Sequence, residues 1–222
     1  MYDNISHQSQ QITYLPFHSK NFWDNFYKNQ FQDNNTTINW YFDLTKFHTN
    51  EFSLKNLSKE DEILIVGSGV SSTLDFFENN GYENIAIFDF SEELVKFLTE
   101  KYNKEWDIQS YDITEIGSNF PNEFNIIIDK GCLDCILSDP KNGEAKYITA
   151  LTNLLLSLSE NDGILYYFSN AKLEERINLF YNVPKIKYKV TTIDMNETMK
   201  EEYKEFNPSD NMYYLYEITK SQ

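Results

Sequence analysis

Short apolar runs recur at regular intervals through the middle of the chain. Each has four or five residues, a length that suits a buried strand and is too short for a typical helix. Between the runs, apolar residues return every three or four positions, as on one face of an amphipathic helix. The runs are Ile63–Val66, Ile85–Phe88, Phe124–Ile128 and Ile164–Phe168, and the helical stripes begin at Leu74, Leu94, Ala145 and Leu173. This alternation predicts strands that pair in parallel, with helices between them.

The C-terminal part of the chain has a different pattern. After Pro184, apolar residues alternate with polar ones from Ile186 to Val190, and Met212–Ile218 is a second strand-like run. Since no helical stripe separates these runs, they are expected to form an antiparallel pair. One more short strand is expected near Trp106–Gln109. The predicted fold class is therefore α/β: a Rossmann-like, seven-stranded, mostly parallel sheet with helices on both faces and an antiparallel final strand.

The first sixty residues differ from the rest because they contain no glycine and many aromatic side chains. Phe22, Trp23, Phe26 and Tyr27 have the spacing of one helix face. We therefore divide the chain into an N-terminal aromatic arm, residues 1–60, and a sheet domain, residues 61–222. Residues 20–42 are expected to fold over the site of the sheet domain as a lid.

Composition limits the class of protein. The 222 residues are 41% hydrophobic, which supports one sizeable core. No apolar run approaches the ~18 residues of a membrane-spanning helix. Met1–Gln11 is polar and lacks the basic start of a signal peptide, and two cysteines are too few for a disulfide framework. These features predict a cytoplasmic protein without a membrane partner.

Acidic residues outnumber basic ones, with 35 Asp and Glu against 19 Lys and Arg and a formal net charge of −16. Such a chain is repelled by the phosphate backbone of nucleic acids unless it carries a local basic patch, so no nucleic-acid partner is expected. A basic protein partner would be attracted. The same charges also serve simply to solvate a surface, and both interpretations stay open.

A glycine-containing turn, Gly67-Ser68-Gly69, directly follows the first strand. Glycine permits a tight turn and a close approach to a ligand, and the N–H groups of the next helix face the same spot. Such a turn is by itself also an ordinary connection between a strand and a helix. Ser72 stands where a dinucleotide fingerprint has its third glycine, and no P-loop motif occurs.

Two carboxylates follow this turn at the ends of successive strands. Asp89 ends the second strand, 22 residues after Gly67, and Asp112 comes 23 residues later. The first can accept hydrogen bonds from both hydroxyls of a ribose, and the second can accept one from an adenine amino group. Because open parallel sheets bind ligands at the carboxyl ends of their strands, we expect an adenosine-containing cofactor.

These motifs resemble those of class I S-adenosylmethionine-dependent methyltransferases. More narrowly, Asp129–Asp134, of sequence D-K-G-C-L-D, is similar to the [D/E]-K-G-T-L-D signature of the methyltransferase-like family that includes lysine methyltransferases of translation elongation factor 1-alpha. Three segments resemble other motifs of that family, in order: Phe22–Tyr27 resembles Y-W-D-x-R-Y, Asn39–Asp43 resembles D/E-W-[FY]-x-[DN], and Gly67–Ser71 resembles G-C-G-N-S. The resemblance covers roughly residues 20–218.

The resemblance implies an S-adenosyl-L-methionine cofactor and a set of residues around it. Trp23, Tyr27 and Trp40 would lie near the cofactor, Gly67 at its methionine end, Asp89 and Phe90 on the ribose and adenine side, Asp112 and Ile113 around the adenine, and Lys130 near the sulfonium. Gly69 would also bind the cofactor. Aromatic faces suit a sulfonium because it is a cation. The alternatives are that the aromatic residues are ordinary core and that the lysine is an exposed loop residue. The chain departs from the family motifs at Ser68, Val70 and Cys132, and Val70 removes a polar side chain near the cofactor carboxylate.

Cys132 and Cys135 have the C-x-x-C spacing of some redox and zinc sites. Zinc would need further ligands, and the histidines of the chain are His7, His18 and His48. We therefore expect a coincidental pair and no metal site. No Ser/His/Asp arrangement is suggested either, so nucleophilic hydrolysis is not expected.

The sequence thus predicts a cytoplasmic methyltransferase that acts on a lysine of a basic protein, and the resemblance suggests elongation factor 1-alpha as that protein. A lysine amine has an ordinary pKa of about 10.4 and must lose its proton before it accepts a methyl group. Asp129, at the end of the fourth strand, is expected to orient this amine as the catalytic residue. Two alternatives stay open: a small-molecule methyltransferase with the same cofactor site, and a non-catalytic binding module that keeps the fold.

Overall fold

The computed structural model describes residues 15–32, 37–47, 52–102, 105–115, 124–184, 186–196 and 212–221. The strands are β1 (Ile63–Val66), β2 (Ile85–Asp89), β3 (Asp107–Ser110), β4 (Ile126–Lys130), β5 (Ile164–Ser169), β6 (Tyr188–Asp194) and β7 (Tyr214–Lys220). The helices are α1 (Lys20–Gln32), α2 (Ser72–Asn79), α3 (Glu92–Lys101), α4 (Cys132–Leu137), α5 (Gly143–Ser157) and α6 (Leu173–Tyr181), and a short 3-10 helix, Leu54–Asn56, precedes β1.

The seven strands form one sheet in the order β3-β2-β1-β4-β5-β7-β6. The first five strands pair in parallel, whereas β7 lies between β5 and β6 and runs antiparallel to both. The register pairs Val66 at the end of β1 with Phe88 on one side and Asp129 on the other. The predicted fold class is confirmed, and the carboxyl ends of β1, β2 and β4 lie at one edge of the sheet.

Two hydrophobic cores cover the two faces of the sheet, because alternate residues of a strand point to opposite faces. In β1, Ile63 and Ile65 belong to the core that also contains residues of α1, α2 and α3. Leu64 and Val66 belong to the core that contains residues of α4, α5 and α6. Helices therefore lie on both faces, as the alternation of strand and helix predicts.

Serine side chains fix where two helices begin. Ser71 accepts a hydrogen bond from the N–H of Thr73 before α2, and Ser91 accepts one from the N–H of Leu94 before α3. Each serine satisfies an N–H group that has no partner within its helix. Both helices start shortly after the carboxyl ends of their strands.

Some boundaries differ from the sequence-based expectation. The predicted fourth strand starts at Ile126, because Phe124 makes only an isolated bridge to Leu158. The short helix α4 is not expected from the pattern, since its six residues are too few for a recognisable apolar stripe. His7, His48 and the segment Met1–Gln11 lie outside the described residues.

The described part of the aromatic arm packs directly on the sheet domain. Tyr27, Phe42, Leu44 and Phe47 are buried in the same core as β1. The N–H of Ile38 also donates to the carbonyl of Val70 at 3.0 Å. A domain boundary at residue 60 and a lid function of the arm stay predictions. Among the described residues, no helix combines the length and apolar character that a membrane crossing requires.

Two leucines on α5 provide a matched test of this fold. Leu154 is fully buried, whereas Leu156 is 61% exposed. Leu154→Ala should lower the free energy of unfolding by about 2–5 kcal/mol through lost burial and an internal cavity. Leu156→Ala should change it by less than about 0.5 kcal/mol. Urea unfolding of both variants measures the difference, and equal losses would contradict the orientation of α5.

Candidate functional site

One large cavity opens at the carboxyl ends of β1, β2 and β4. The space among its lining atoms, which includes open solvent at the mouth, is about 1240 Å³. All ten residues that the sequence analysis assigns to a cofactor line this cavity: Trp23, Tyr27, Trp40, Gly67, Gly69, Asp89, Phe90, Asp112, Ile113 and Lys130. The structure thus brings the ten residues together, and their binding role stays a prediction.

The glycine turn forms the floor of the cavity. Gly67 and Gly69 have φ of +56° and +54°, a region that residues with a Cβ rarely adopt. A Cβ on Gly67 would lie 2.6 Å from the Cβ of Cys132, and one on Gly69 would lie 3.3 Å from the hydroxyl of Tyr27. The missing side chains therefore let α4 and α1 approach the turn closely.

Asp89 is a buried carboxylate in the cavity wall at the end of β2. It is 6% exposed and accepts a hydrogen bond from the N–H of Ser91 at 3.0 Å. Burial raises the pKa of Asp89 to about 7, and the nearby charge of Asp24 adds to this effect. A ligand that donates hydrogen bonds to Asp89 would stabilise its ionised form.

Asp112 lines the same wall after β3 and is half-buried. Its Oδ1 accepts hydrogen bonds from the N–H and the hydroxyl of Thr114, at 2.8 and 2.7 Å. These bonds fix the direction of the carboxylate. Ile113 beside it is 5% exposed, and its carbonyl accepts a hydrogen bond from Asn153 at 3.0 Å. The loop after β3 is thereby held against α5.

Aromatic rings from the arm form the opposite wall. The ring of Trp23 stacks on Tyr27 with centroids 5.7 Å apart and meets Trp40 edge-on at the same distance. The indole N–H of Trp23 donates to the carbonyl of Phe17 at 2.7 Å. Tyr27 belongs to the hydrophobic core and also lines the cavity, so core packing and a place in the cavity wall are compatible here.

Polar contacts join α1 to the start of α3. Lys20 bridges Asp24 at 2.8 Å and Glu92 at 3.2 Å. The hydroxyl of Ser91 donates to Asp24 at 2.7 Å. Exposed ion pairs contribute little each, about 0–1 kcal/mol. The bond from Ser91 to Asp24 matters more for the geometry of the site. Because the N–H of Ser91 also donates to Asp89, Ser91 connects the arm to the cavity wall.

Lys130 is not an exposed loop lysine. Its ammonium donates to the carbonyl oxygens of Trp40 and Phe42, the second at 3.1 Å, and lies 5.8 Å from the ring centre of Phe42. Burial lowers the pKa of Lys130 to about 7, although the charge of Asp43 opposes this shift. Lys130 therefore connects the end of β4 to the arm.

Asp129, the expected catalytic residue, is fully buried and lies beside the cavity rather than among the residues that line it. One carboxylate oxygen accepts the N–H of Leu133 at 3.0 Å, and the other has no hydrogen-bond partner among the described residues. Burial raises the pKa of Asp129 well above its ordinary value, and the charge of Asp134 adds to this effect. A role in orienting an amine stays a prediction.

Asp134, for which the sequence pattern indicates no role, is a centre of hydrogen bonding in the structure. Its carboxylate accepts bonds from the hydroxyls of Tyr41 and Tyr167 and pairs with Arg176 at 3.1 Å. Ser169 also donates to it, at 2.8 Å. The available signal was its position as the last residue of the D-K-G-C-L-D segment.

Other cavity residues escape the sequence analysis. Phe17 and His18 line the cavity from just before α1, where no motif resemblance reaches. Lys146 lines it from α5 and pairs with Asp139 at 2.9 Å. These residues are missed because each belongs to a different element and carries no spacing signal of its own.

Cys132 and Cys135 both line the cavity as free thiols. Burial raises the pKa of each thiol, so neither is activated as a thiolate. Within the described ranges, no group of three or more His, Cys, Asp or Glu residues has the arrangement of a metal site.

Comparisons with known proteins agree with this geometry. The chain is 28% identical over 127 residues to the "eEF1A lysine and N-terminal methyltransferase" of Mus musculus, which covers 55% of this chain and 17% of that protein. It is 24% identical over 171 residues to "EEF1A lysine methyltransferase 2" of Danio rerio, which covers 73% of each chain. No protein-family model matches the chain.

A solved SAM-dependent methyltransferase of Leishmania major superposes with a TM-score of 0.54, at 9% identity, over 75% of this chain and 68% of that one. The chain therefore has the class I S-adenosylmethionine-dependent methyltransferase fold. It is also a distant homologue of lysine methyltransferases of elongation factor 1-alpha, at 24–28% identity. The match to the Mus musculus protein covers only about a sixth of that protein's length, 17%.

Two glycines separate backbone strain from steric contact at the turn. Gly67 and Gly81 have φ of +56° and +67°, but a Cβ on Gly81 would meet no atom within 4 Å. Alanine at either position should lower the free energy of unfolding by about 1–2 kcal/mol, because the backbone there is left-handed. Gly67→Ala should lower the free energy of unfolding by about a further 1–3 kcal/mol, because the added Cβ overlaps Cys132.

Urea unfolding of the two alanine variants measures both terms. Equal losses of unfolding free energy would mean that a Cβ on Gly67 does not clash with Cys132 of α4.

Proposed function

We propose that this protein is an S-adenosylmethionine-dependent methyltransferase that modifies a lysine of a basic protein. The observation that carries the proposal is the cavity lined by the glycine turn, by Asp89 and Asp112 at successive strand ends, and by the tryptophans of the arm. Distant homology to lysine methyltransferases of elongation factor 1-alpha supports the same assignment.

The residues present fit the cofactor on two counts. Gly67 and Gly69 line the cavity with positive φ angles that residues with a Cβ rarely adopt, so the turn presents its backbone to a ligand there. Asp89 is buried with a pKa raised to about 7, and an acceptor of this kind gains stability from ligand hydroxyl groups. In the proposed arrangement, Asp89 holds the ribose and Asp112 the adenine amino group.

The remaining cavity residues suit the other end of the cofactor. The glycine turn would face the methionine portion, and the rings of Trp23, Tyr27 and Trp40 would surround the sulfonium region. Aromatic faces attract cations, most strongly when water is excluded. Val70, which is 3% exposed, replaces the polar asparagine of the family motif, so the carboxylate end depends more on backbone N–H groups.

The bound cofactor supplies the methyl group and a good leaving group. The chain aligns the lysine amine, excludes water and favours the neutral amine, whose ordinary pKa is about 10.4. A cavity with apolar and aromatic walls lowers the pKa of an amine that enters it. Asp129 is the proposed orienting residue, although its contact with a substrate would require an opening between its buried carboxyl and the cavity.

A basic protein substrate follows from charge and homology together. The formal net charge of −16 attracts a positively charged surface over long distances. The two relatives described above carry elongation factor 1-alpha in their names, which makes this factor the leading substrate.

The titration of Asp89 gives a pH-dependent test of cofactor binding. Ligand hydroxyls donate to the ionised carboxylate, so affinity should fall as the pH drops through the folded-state pKa of about 7. Between pH 8 and pH 6, binding of S-adenosylhomocysteine should weaken by about tenfold. Asp89→Asn cannot ionise and should bind more weakly, with most of this pH dependence lost.

Calorimetry at several pH values measures both effects. Lys130, whose pKa burial lowers to about 7, also lines the cavity, and Lys130→Met identifies any part of the slope that Lys130 contributes. If the Asp89→Asn variant keeps the full pH dependence of cofactor affinity, Asp89 does not bind the ribose.

Transfer of labelled methyl groups to purified elongation factor 1-alpha tests the substrate. Mass spectrometry should map the label to a lysine, and Asp89→Ala should reduce the transfer. The rate should fall as salt rises, because charges are screened beyond about 10 Å at 0.1 M.

An acidic protein of similar size serves as the control acceptor. Label found only on small metabolites of a cell extract would favour a small-molecule methyltransferase. Tight cofactor binding without transfer to any acceptor would favour a non-catalytic binding module.

A further inference from the structure

Residues 38–43, here called the strap, are joined to the end of the glycine turn by the bond from the N–H of Ile38 to the carbonyl of Val70, and they contribute Trp40 to the cavity wall. Both ends of the strap are tied to the start of α2. The carboxamide oxygen of Asn39 accepts from the N–H of Ser72 at 3.1 Å, and Asp43 accepts from the hydroxyl of Ser72. The strap therefore caps α2 and passes beside the cavity.

The middle of the strap has a conformation that needs external support. Tyr41 has φ of +64°, in the left-handed region that a bulky residue rarely adopts. Its neighbours Trp40 and Phe42 place their carbonyl oxygens on the ammonium of Lys130. Backbone strain of this kind persists where surrounding contacts hold it.

The segment Asp129–Asp134 supplies these contacts from three positions. Lys130 binds the carbonyls on either side of Tyr41, and the hydroxyl of Tyr41 donates to Asp134 at 2.7 Å. Between them, Gly131 lies so close that a Cβ would be 3.0 Å from the Tyr41 ring and 3.3 Å from the Trp40 ring. The lysine, the glycine and the second aspartate thus all act on one short stretch of the arm.

Asp134 is itself held firmly. Its carboxylate side chain is 8% exposed and bound by Arg176, Tyr167 and Ser169, from α6 and β5. Because these partners remain when the Tyr41 hydroxyl is removed, loss of that hydroxyl leaves no unpaired buried charge. The bond to Tyr41 can therefore be deleted selectively.

We propose that Lys130, Gly131 and Asp134 are positioning residues that clamp the strap, so that the Trp40 indole forms a fixed wall of the cofactor cavity. This inference rests on the proposed function and assigns the D-K-G-C-L-D segment a task that acts through the arm. The ammonium of Lys130 is occupied by two carbonyls, which suits a position beside a cationic sulfonium better than a free charge does.

Tyr41→Phe is the sharpest test, because Tyr41 supports the strap and does not line the cavity. The variant should bind S-adenosylhomocysteine about three- to tenfold more weakly, the effect of one typical net hydrogen bond, because Lys130 still holds the strap. Amide hydrogen exchange in residues 38–43 should become faster, while exchange in β1 and β4 stays unchanged. Calorimetry and ligand-free exchange measure the two effects.

Tyr102→Phe provides the matched control. The Tyr102 hydroxyl also donates to a carboxylate, that of Asp75 at 2.8 Å, but neither residue lines the cavity, and the bonds of this pair go to Lys101 rather than to the strap. This variant should keep its cofactor affinity and its exchange in residues 38–43. If Tyr41→Phe behaves like Tyr102→Phe in both measurements, the clamp is wrong.

Lys130→Met tests the second contact. It removes the donor of two strap carbonyls and should also increase exchange in residues 38–43 and weaken binding. Unchanged exchange in the strap would contradict the clamp, even if affinity fell. Hydrogen exchange is measured without ligand, so it tests the clamp independently of the proposed function. The proposed function fails if the unsubstituted protein binds no S-adenosylhomocysteine.

Discussion

The contact between the glycine turn and α4 is the constraint on which the cavity depends. A Cβ on Gly67 would lie 2.6 Å from that of Cys132, so α4 can begin where it does only because this side chain is missing. The same residue turns the chain from β1 toward α2 with a positive φ. The carboxyl ends of β1, β2 and β4 and the starts of α2 and α4 therefore lie close together. A larger residue there would push α4 outward, together with the wall formed by Cys132 and Cys135.

Charged side chains gather at this point, and the protein accommodates each differently. Asp134 has an ion pair with Arg176, Lys130 uses backbone carbonyls, and Asp129 is buried with a raised pKa that favours its neutral form. An unpaired buried charge costs several kcal/mol, so these arrangements are needed for the fold itself. Asp89 differs, because it combines burial with a position in the cavity wall and a pKa of about 7. A ligand can therefore decide its ionisation.

Most of the sheet follows from the sequence because buried strands and amphipathic helices leave periodic patterns, and the glycine turn and Asp89 follow from their position at strand ends. The helix α4 leaves no such pattern, since it has six residues. The hydrogen-bonded centre at Asp134 is equally invisible, because its partners Tyr41 and Arg176 lie 93 and 42 residues away. Periodicity reports how one element faces a core. It contains no information about which distant side chains share a polar contact.

The four segments that carry the resemblance to the methyltransferase-like family converge in space. They are Phe22–Tyr27, Asn39–Asp43, Gly67–Ser71 and Asp129–Asp134. Trp23 meets the ring of Trp40, whose carbonyl accepts from Lys130, and Gly67 packs on Cys132. A resemblance due to the fold alone would fall on apolar strand positions, whereas this one falls on a cavity wall and on its supports. Two of the four segments belong to the arm, and its described part contributes Trp23, Tyr27 and Trp40 to the cavity wall. The sheet alone would lack the aromatic wall and the strap, so the function proposed here requires the arm and the sheet together.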